Sequence, residues 1–440
     1  MLISDFTFIF YFLPGFYILY NIFPPKARRY LLAVGGLLFY SWGRLQDAAV
    51  FLCLSLAVWV LSRLAARSKG FAYAGIALCV ACLAAFKYFD TPLGFPLGAS
   101  FYVFHMISYL IDVTRGSDAE KDPFILLAYL AMFPKLIMGP IVQYHDLAET
   151  VKAPVTTVQD TADGLLRFVV GLSKKALLAM QLAPMTEALW LDAPDSGIAA
   201  WMAAVCYSLQ LYFDFSSYSD MAIGLGKMAG FTFGENFIYP YTSSSVSEFY
   251  RRWHASLGRW FRDYVYIPLG GSRGGTKRTL LNLMIVWALT GIWHGSTLNF
   301  LVWGLFLGVA ICIEKVTGAA KAEKSFWGWL RTTVLIVLSW TVFNASGIGE
   351  AANHLAMMFG ASPFAVTRQV LASLHDQWPV LLCACVGCTP FVRDLGLRIA
   401  GTEDTLKAAL LKTVLLCVLF AASLLLIVNS GYSAFIYTKF

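Results

Sequence analysis

Residues 280–313 read LLNLMIVWALTGIWHGSTLNFLVWGLFLGVAICI, 34 residues without one Asp, Glu, Lys or Arg and with a single histidine, His294. A helix needs about 20 residues to cross the hydrocarbon core of a bilayer. The run is too long for one crossing and predicts two. The break is expected at 291–297, where Gly291, Gly295, Ser296 and Thr297 loosen the helix. Non-helical backbone at membrane depth persists only where it is buried in protein or lines a wet cavity. An imidazole there is costly unless it has partners or a task. Burial alone leaves His294 open to two readings, a hydrogen-bonded core histidine or a site residue.

The rest of the chain fits the same setting. It is 58% hydrophobic and 13% charged over 440 residues, where soluble domains carry about 25% charge. This composition predicts an all-α polytopic membrane protein. Residues 6–23 are too long an apolar run for a signal peptide and lack an early basic cluster, so they read as a retained first span. Further spans are expected at 30–42, 48–61, 71–86, 100–111, 124–137, 165–182, 201–230, 330–343, 380–392 and 409–428. Several are shorter than a full crossing and predict tilted or re-entrant helices. Pro134 and the Gly139-Pro140 pair predict a kinked or re-entrant element. Lys174 and Lys175, in the middle of an apolar run, read as snorkelling or as part of an interfacial helix. Residues 347–377 read as an external loop with a short helix around 351–359.

Short basic loops orient the chain. Lys26, Arg28 and Arg29 form one, Arg63, Arg67 and Lys69 a second, and Lys315, Lys321, Lys324 and Arg331 a third. The positive-inside rule places all three in the cytoplasm and the N-terminus outside. The nine cysteines are scattered through apolar segments, as small buried hydrophobes are. Cys383, Cys385 and Cys388 lie in an apolar run with no histidine nearby, and no metal site is read there. No nucleotide-binding or nucleic-acid motif and no internal repeat is present.

Two polar islands stand out. Asp214 and Asp220 sit inside the apolar run 201–230. They read either as a network that holds helices together or as a polar interior. Residues 248–278 carry seven Arg and Lys against Glu248 and Asp263. At 100° per residue, Tyr250, Trp253, Leu257, Trp260, Phe261 and Tyr264 share one face, and Arg251, Arg252, Arg259, Arg262 and Asp263 share the other. This predicts an amphipathic helix at the cytoplasmic interface. His254 falls at the edge of its apolar face and is a second candidate site residue. The arginines suit either anionic lipid or a phosphate-bearing donor.

Several stretches resemble the membrane-bound O-acyltransferase family: YFDFSSYSDMAIGLG at 212–226, NFIYPY at 236–241, EFYRRWH at 248–254, DYVYIPLGGSR at 263–273 and TGIWHG at 290–295. GASFYVFHMISYLIDVTRG at 98–116 and PKLIMGPIV at 134–142 are similar too, and FIYTKF at 435–440 resembles the ending of the alginate type. The resemblance is to the bacterial branch that O-acetylates alginate and peptidoglycan, with D-alanyl transfer to teichoic acid as a sister type. It implies a ring of tilted helices around a central tunnel, with re-entrant and interfacial helices, and one integral membrane domain over 1–440. Within it lie N-terminal spans (1–145), a motif-bearing core (165–313) and C-terminal spans (330–440). It also implies catalytic histidines at His294 and His254.

The family likeness further implies an acyl thioester co-substrate, acetyl-coenzyme A or another, with no bound cofactor or metal. An extracytoplasmic polysaccharide would be the final acceptor, reached with a periplasmic SGNH-type acetyltransferase partner from the bacterial inner membrane. Arg251, Arg252, Trp253, Trp293, Asp214, Tyr218 and Asn236 are candidate donor-binding or tunnel residues. The chemistry fits: a neutral imidazole has a proton affinity suited to taking a hydroxyl proton near neutrality, and a dry site limits thioester hydrolysis. Residue pattern and charge alone also admit a transporter with Asp214, Asp220 and the histidines as an ion relay. The absence of paired broken half-repeats weighs against that.

Overall fold

A computed structural model describes residues 1–191, 194–319, 324–400 and 406–429. Among these residues the secondary structure is helical, apart from one isolated antiparallel bridge between Phe237 and Trp253. Seven of the described helices are long and apolar enough to cross a membrane. They are Leu45–Leu64, Gly70–Tyr88, Gly197–Met228, Leu298–Thr317, Phe326–Asn344, Arg368–Gly387 and Ala408–Asn429, and Phe8–Ile22 is a shorter apolar helix. The Phe435–Phe440 ending and Lys321 lie outside the described residues.

The chain groups into two compact units, one of residues 1–168 and 218–235, the other of 169–217 and 236–440. In the first, the helix Pro25–Ser41 starts before the apolar run does, because Pro25 suits a first helical turn that needs no N–H donor. The two N-terminal basic loops lie at the same end of this unit. Arg29 pairs with Asp122 at 3.6 Å, and Arg63 donates to the Ala119 carbonyl at 3.2 Å, so both reach the 119–122 segment.

The kinked element is present. Pro123–Leu130 ends, the chain turns, Phe133–Leu136 makes one helical turn, and residues 131–143 are buried throughout. Irregular backbone is tolerated here because protein surrounds it. Tyr129 donates to the Val142 carbonyl at 2.7 Å, and the Lys135 ammonium lies 4.0 Å from the centre of the Tyr129 ring. Asp220 receives two bonds from the Arg167 guanidinium, at 2.9 and 2.7 Å, and Arg167 also holds Glu235.

In the second unit two expectations are corrected. The Lys175 side chain does not snorkel. It is buried and donates to Asp214 at 2.6 Å, with both side chains under 3% exposed. The second correction concerns 347–377, where the expected short helix is present but a second helix cuts the expected loop short. Helix Ile348–Ala356 occupies its start, and the helix Arg368–Gly387 begins inside it and runs through Pro379. The end of this unit near the third basic loop is tied together by Trp329, which donates to the Tyr241 carbonyl at 2.9 Å.

Candidate active site

The 280–313 run folds as two helices with the expected break, although of the two only Leu298–Thr317 is among the helices long and apolar enough to cross a membrane. Helix Gly275–His294 ends at the histidine, Gly295–Thr297 is non-helical, and Leu298–Thr317 returns. Two glycines let the helices touch backbone to backbone. A Cβ on Gly304 would meet the Trp287 carbonyl oxygen at 2.4 Å, and one on Gly291 the Phe300 carbonyl oxygen at 2.5 Å. Small residues at a helix crossing are the usual way membrane helices pack closely. His294 is thereby held at the hairpin's tip, 4% exposed. Its ring meets Trp293, Trp303 and Phe343 edge to face, at centroid distances of 4.6, 4.9 and 5.1 Å. Trp303 in turn stacks on Trp340.

The interfacial helix is not continuous. It runs Val246–Arg252, breaks at Trp253 and His254, and resumes as Ala255–Phe261. The break comes from pairing with a distant segment: Ile238 N–H donates to the Arg252 carbonyl and Ala255 N–H to the Asn236 carbonyl, at 2.9 and 3.0 Å. That pairing holds His254 in the left-handed region (φ 47°), which is uncommon for a non-glycine residue. The expected faces survive the break. Trp253, Leu257, Trp260, Phe261 and Tyr264 are buried, while Arg251, Arg259 and Arg262 are exposed.

The first turn of Val246–Arg252 is capped twice. Ser245 Oγ accepts from Glu248 N–H at 3.0 Å, and the Glu248 carboxylate accepts from Ser244 N–H. Glu314, from the end of the hairpin, accepts from Val246 N–H, Ser247 N–H and Ser247 Oγ–H at 2.7, 2.9 and 2.8 Å.

These elements enclose a cavity of about 1000 Å³. Arg251, Arg259, Arg262 and Lys315 line it together with Glu314, and His254, His294, Trp303 and Trp340 line it too. Along the first hairpin helix the lining runs from Leu283 through Val286, Trp287 and Thr290 to His294. Eleven steps of 1.5 Å from Leu283 to His294 make that wall about 16 Å long, roughly half of a hydrocarbon core about 30 Å thick. His254 is 3% exposed, and burial pushes its imidazole down to about 3.

Of the residues singled out from sequence, the cavity brings together His294, His254, Arg251 and Trp253. Arg252 turns to Glu248 at 2.6 Å and to Thr242 at 2.9 Å. Trp293 packs on His294 without lining the cavity, and Asn236 stands behind His254 with its amide oxygen 3.2 Å from Nδ1. Asp214 is in the Lys175 pair, and Tyr218 belongs to the first unit, against Gly139. Sequence reading missed Trp303, Trp340, Glu314 and Lys315 as cavity residues. The only signal for Glu314 was a carboxylate directly ending an uncharged run.

The membrane-bound O-acyltransferase family model matches residues 47–353. The chain belongs to the membrane-bound O-acyltransferase family. It is 34% identical to the "Probable alginate O-acetylase AlgI" of Pseudomonas putida, with both chains fully covered. It is 29% identical to the peptidoglycan O-acetyltransferase of Helicobacter pylori over 78% of this chain and 74% of that one. The teichoic acid D-alanyltransferase of Bacillus subtilis is 28% identical over 48% and 57%. The protein is thus an integral membrane O-acyltransferase of the AlgI type, and the transporter alternative falls away.

Proposed function

We propose that this acyltransferase moves an acetyl group from a cytoplasmic thioester, acetyl-coenzyme A, towards O-acetylation of an extracytoplasmic polysaccharide in the bacterial inner membrane. The observation that carries the proposal is a cavity with arginines and a lysine in its lining and His294 held among aromatic rings. Arg251, Arg259, Arg262 and Lys315 suit the phosphates of the donor. The apolar wall between Leu283 and Thr290 suits an extended acyl-pantetheine arm.

Around His294 the chemistry is acyl transfer by general base catalysis. The acceptor hydroxyl oxygen attacks the thioester carbonyl carbon while His294 takes the hydroxyl proton. The C–S bond then breaks and the imidazolium returns the proton to the departing sulfur, leaving free thiol and ester. His254 would orient a reactant from the facing wall. A periplasmic SGNH-type acetyltransferase would then carry the acetyl group on to the polymer.

The test is acetyl transfer by purified wild type, His294→Ala and His294→Gln, with melting temperature recorded beside each rate. Loss of a general base should slow transfer by roughly 10²–10⁴-fold in both variants. The Gln variant should melt close to wild type, because it keeps a polar side chain of similar reach at the cavity wall, and Ala should fall modestly for the ring contacts it loses. A fully active, normally stable Ala variant would overturn the assignment. Transfer from a D-alanyl carrier protein but not from acetyl-coenzyme A would replace the donor.

A further inference from the structure

The oxygen of Asn236 decides which ring nitrogen of His254 carries the proton. Asn236 Oδ1 lies 3.2 Å from the Ser256 backbone N and 2.9 Å from Ser256 Oγ. A backbone N–H can only donate, so the amide atom facing it is the oxygen and not the NH₂ group. His254 Nδ1 lies 3.2 Å from that same oxygen. A carbonyl oxygen can only accept, so Nδ1 donates to it; the Ser256 hydroxyl also lies 3.5 Å from Nδ1, but its proton goes to the nearer Asn236 oxygen at 2.9 Å. In a neutral imidazole the other nitrogen, Nε2, then holds the lone pair. The opposite tautomer would set two lone pairs against each other at 3.2 Å.

The surroundings keep the ring in that pose. Phe215 meets it edge-on at 4.7 Å, and Phe237 lies parallel to it at 6.4 Å. The backbone beside His254 is pinned by the 236–238 pairing, so Asn236 holds Ala255 through its main-chain carbonyl and the His254 ring through its side chain. We propose that Asn236 is a positioning residue that locks His254 in the Nδ1–H tautomer, so that the ring offers the cavity an acceptor at Nε2 and no donor. The role rests on the acyl-transfer reading above. It commits His254 to a reactant group that points an N–H or O–H at it, such as an amide of the donor's arm or the attacking hydroxyl.

The charged groups around the ring are few. Asp214 precedes Phe215 but is paired with Lys175. Arg251, Arg259, Arg262, Glu314, Lys315 and His294 line the same cavity. Burial pushes the His254 imidazole down, to about 3, which favours the neutral ring.

Two readouts test this. In the first, wild type carrying ¹⁵N-histidine is reconstituted in lipid, and its ring nitrogens are read by solid-state NMR, the His254 signals being those lost in His254→Gln. Protonated Nδ1 with unprotonated Nε2 is expected, and protonated Nε2 overturns the proposal whatever the enzyme does. In the second, Asn236→Asp and Asn236→Leu are assayed with acetyl-coenzyme A across pH. The aspartate keeps the acceptor and adds a negative charge, which raises the proton affinity of His254. Its rate should be depressed at low pH and recover as pH rises through the new value, an acid limb that wild type lacks. The leucine removes the acceptor and should slow transfer on the order of 10²-fold, since a misoriented tautomer disables a catalytic imidazole. An Asp variant with the wild-type pH profile and rate, or a stable Leu variant with the wild-type rate, overturns the role of Asn236. If instead His254→Gln transfers acetyl as fast as wild type, the acyl-transfer role of His254 fails, and the NMR result still decides the tautomer.

Discussion

The Lys175–Asp214 pair tests whether Asp214 belongs to the chemistry or to the scaffold. Both side chains are under 3% exposed and their charged atoms lie 2.6 Å apart. Asp214→Asn would leave the buried ammonium of Lys175 without its counter-charge, and Lys175→Met would strand the carboxylate. Breaking a buried pair from one side costs about 3–5 kcal/mol, because the remaining ion keeps its desolvation penalty. At roughly 2–4 °C per kcal/mol for a unit of this size, the melting temperature should fall on the order of 10 °C. Replacing both, as Lys175→Met with Asp214→Leu, removes both buried charges and should restore most of the loss. The assay is thermal unfolding in detergent, with acetyl transfer measured on the same samples. Single variants as stable as wild type, or a double variant no better than the singles, would refute the reasoning. A stable but inactive double variant would return Asp214 to the site.

Two further outcomes are expected. In Arg251, Arg259 and Arg262, exposed at the cavity, simultaneous change to Gln should weaken donor binding several-fold while leaving membrane insertion intact, each contact being about 1 kcal/mol or less; titration of acetyl-coenzyme A checks it, and unchanged affinity would leave the arginines to lipid and topology. Single cysteines placed in the basic segments at 26–29, 63–69 and 315–319, in a background without native cysteines, should resist an impermeant reagent applied from outside. Labelling of any one would reverse the orientation.

What the sequence disclosed depended on how local the causes were. The hairpin at 280–313 was legible because uncharged length and two glycines act within one stretch. The buried face of Trp253, Leu257, Trp260 and Phe261 followed from helical period alone. The break at His254 was not legible, since it comes from hydrogen bonds to 236–238. The Lys175–Asp214 pair joins residues 39 apart in the chain, and no local pattern announces it. The helix starting at Arg368 was hidden because its first turns carry exposed polar residues, His375 and Asp376 among them, and its interior contains Pro379. At the site, the two histidines stood out by their setting, whereas Trp303 and Trp340 looked like ordinary span residues.

The three hydrogen bonds that Glu314 accepts act as a pivot. They fasten the start of the wall that carries His254 to the hairpin helix beside Lys315. From Glu314 to Trp303, on the same helix, is a lever arm of about 16 Å. A tilt of about 3° at the pivot would move the far end by roughly 0.8 Å, and a displacement near 1 Å is enough to cost catalysis 10²-fold. A carboxylate at one end of that arm therefore sets the alignment of groups a half-membrane away.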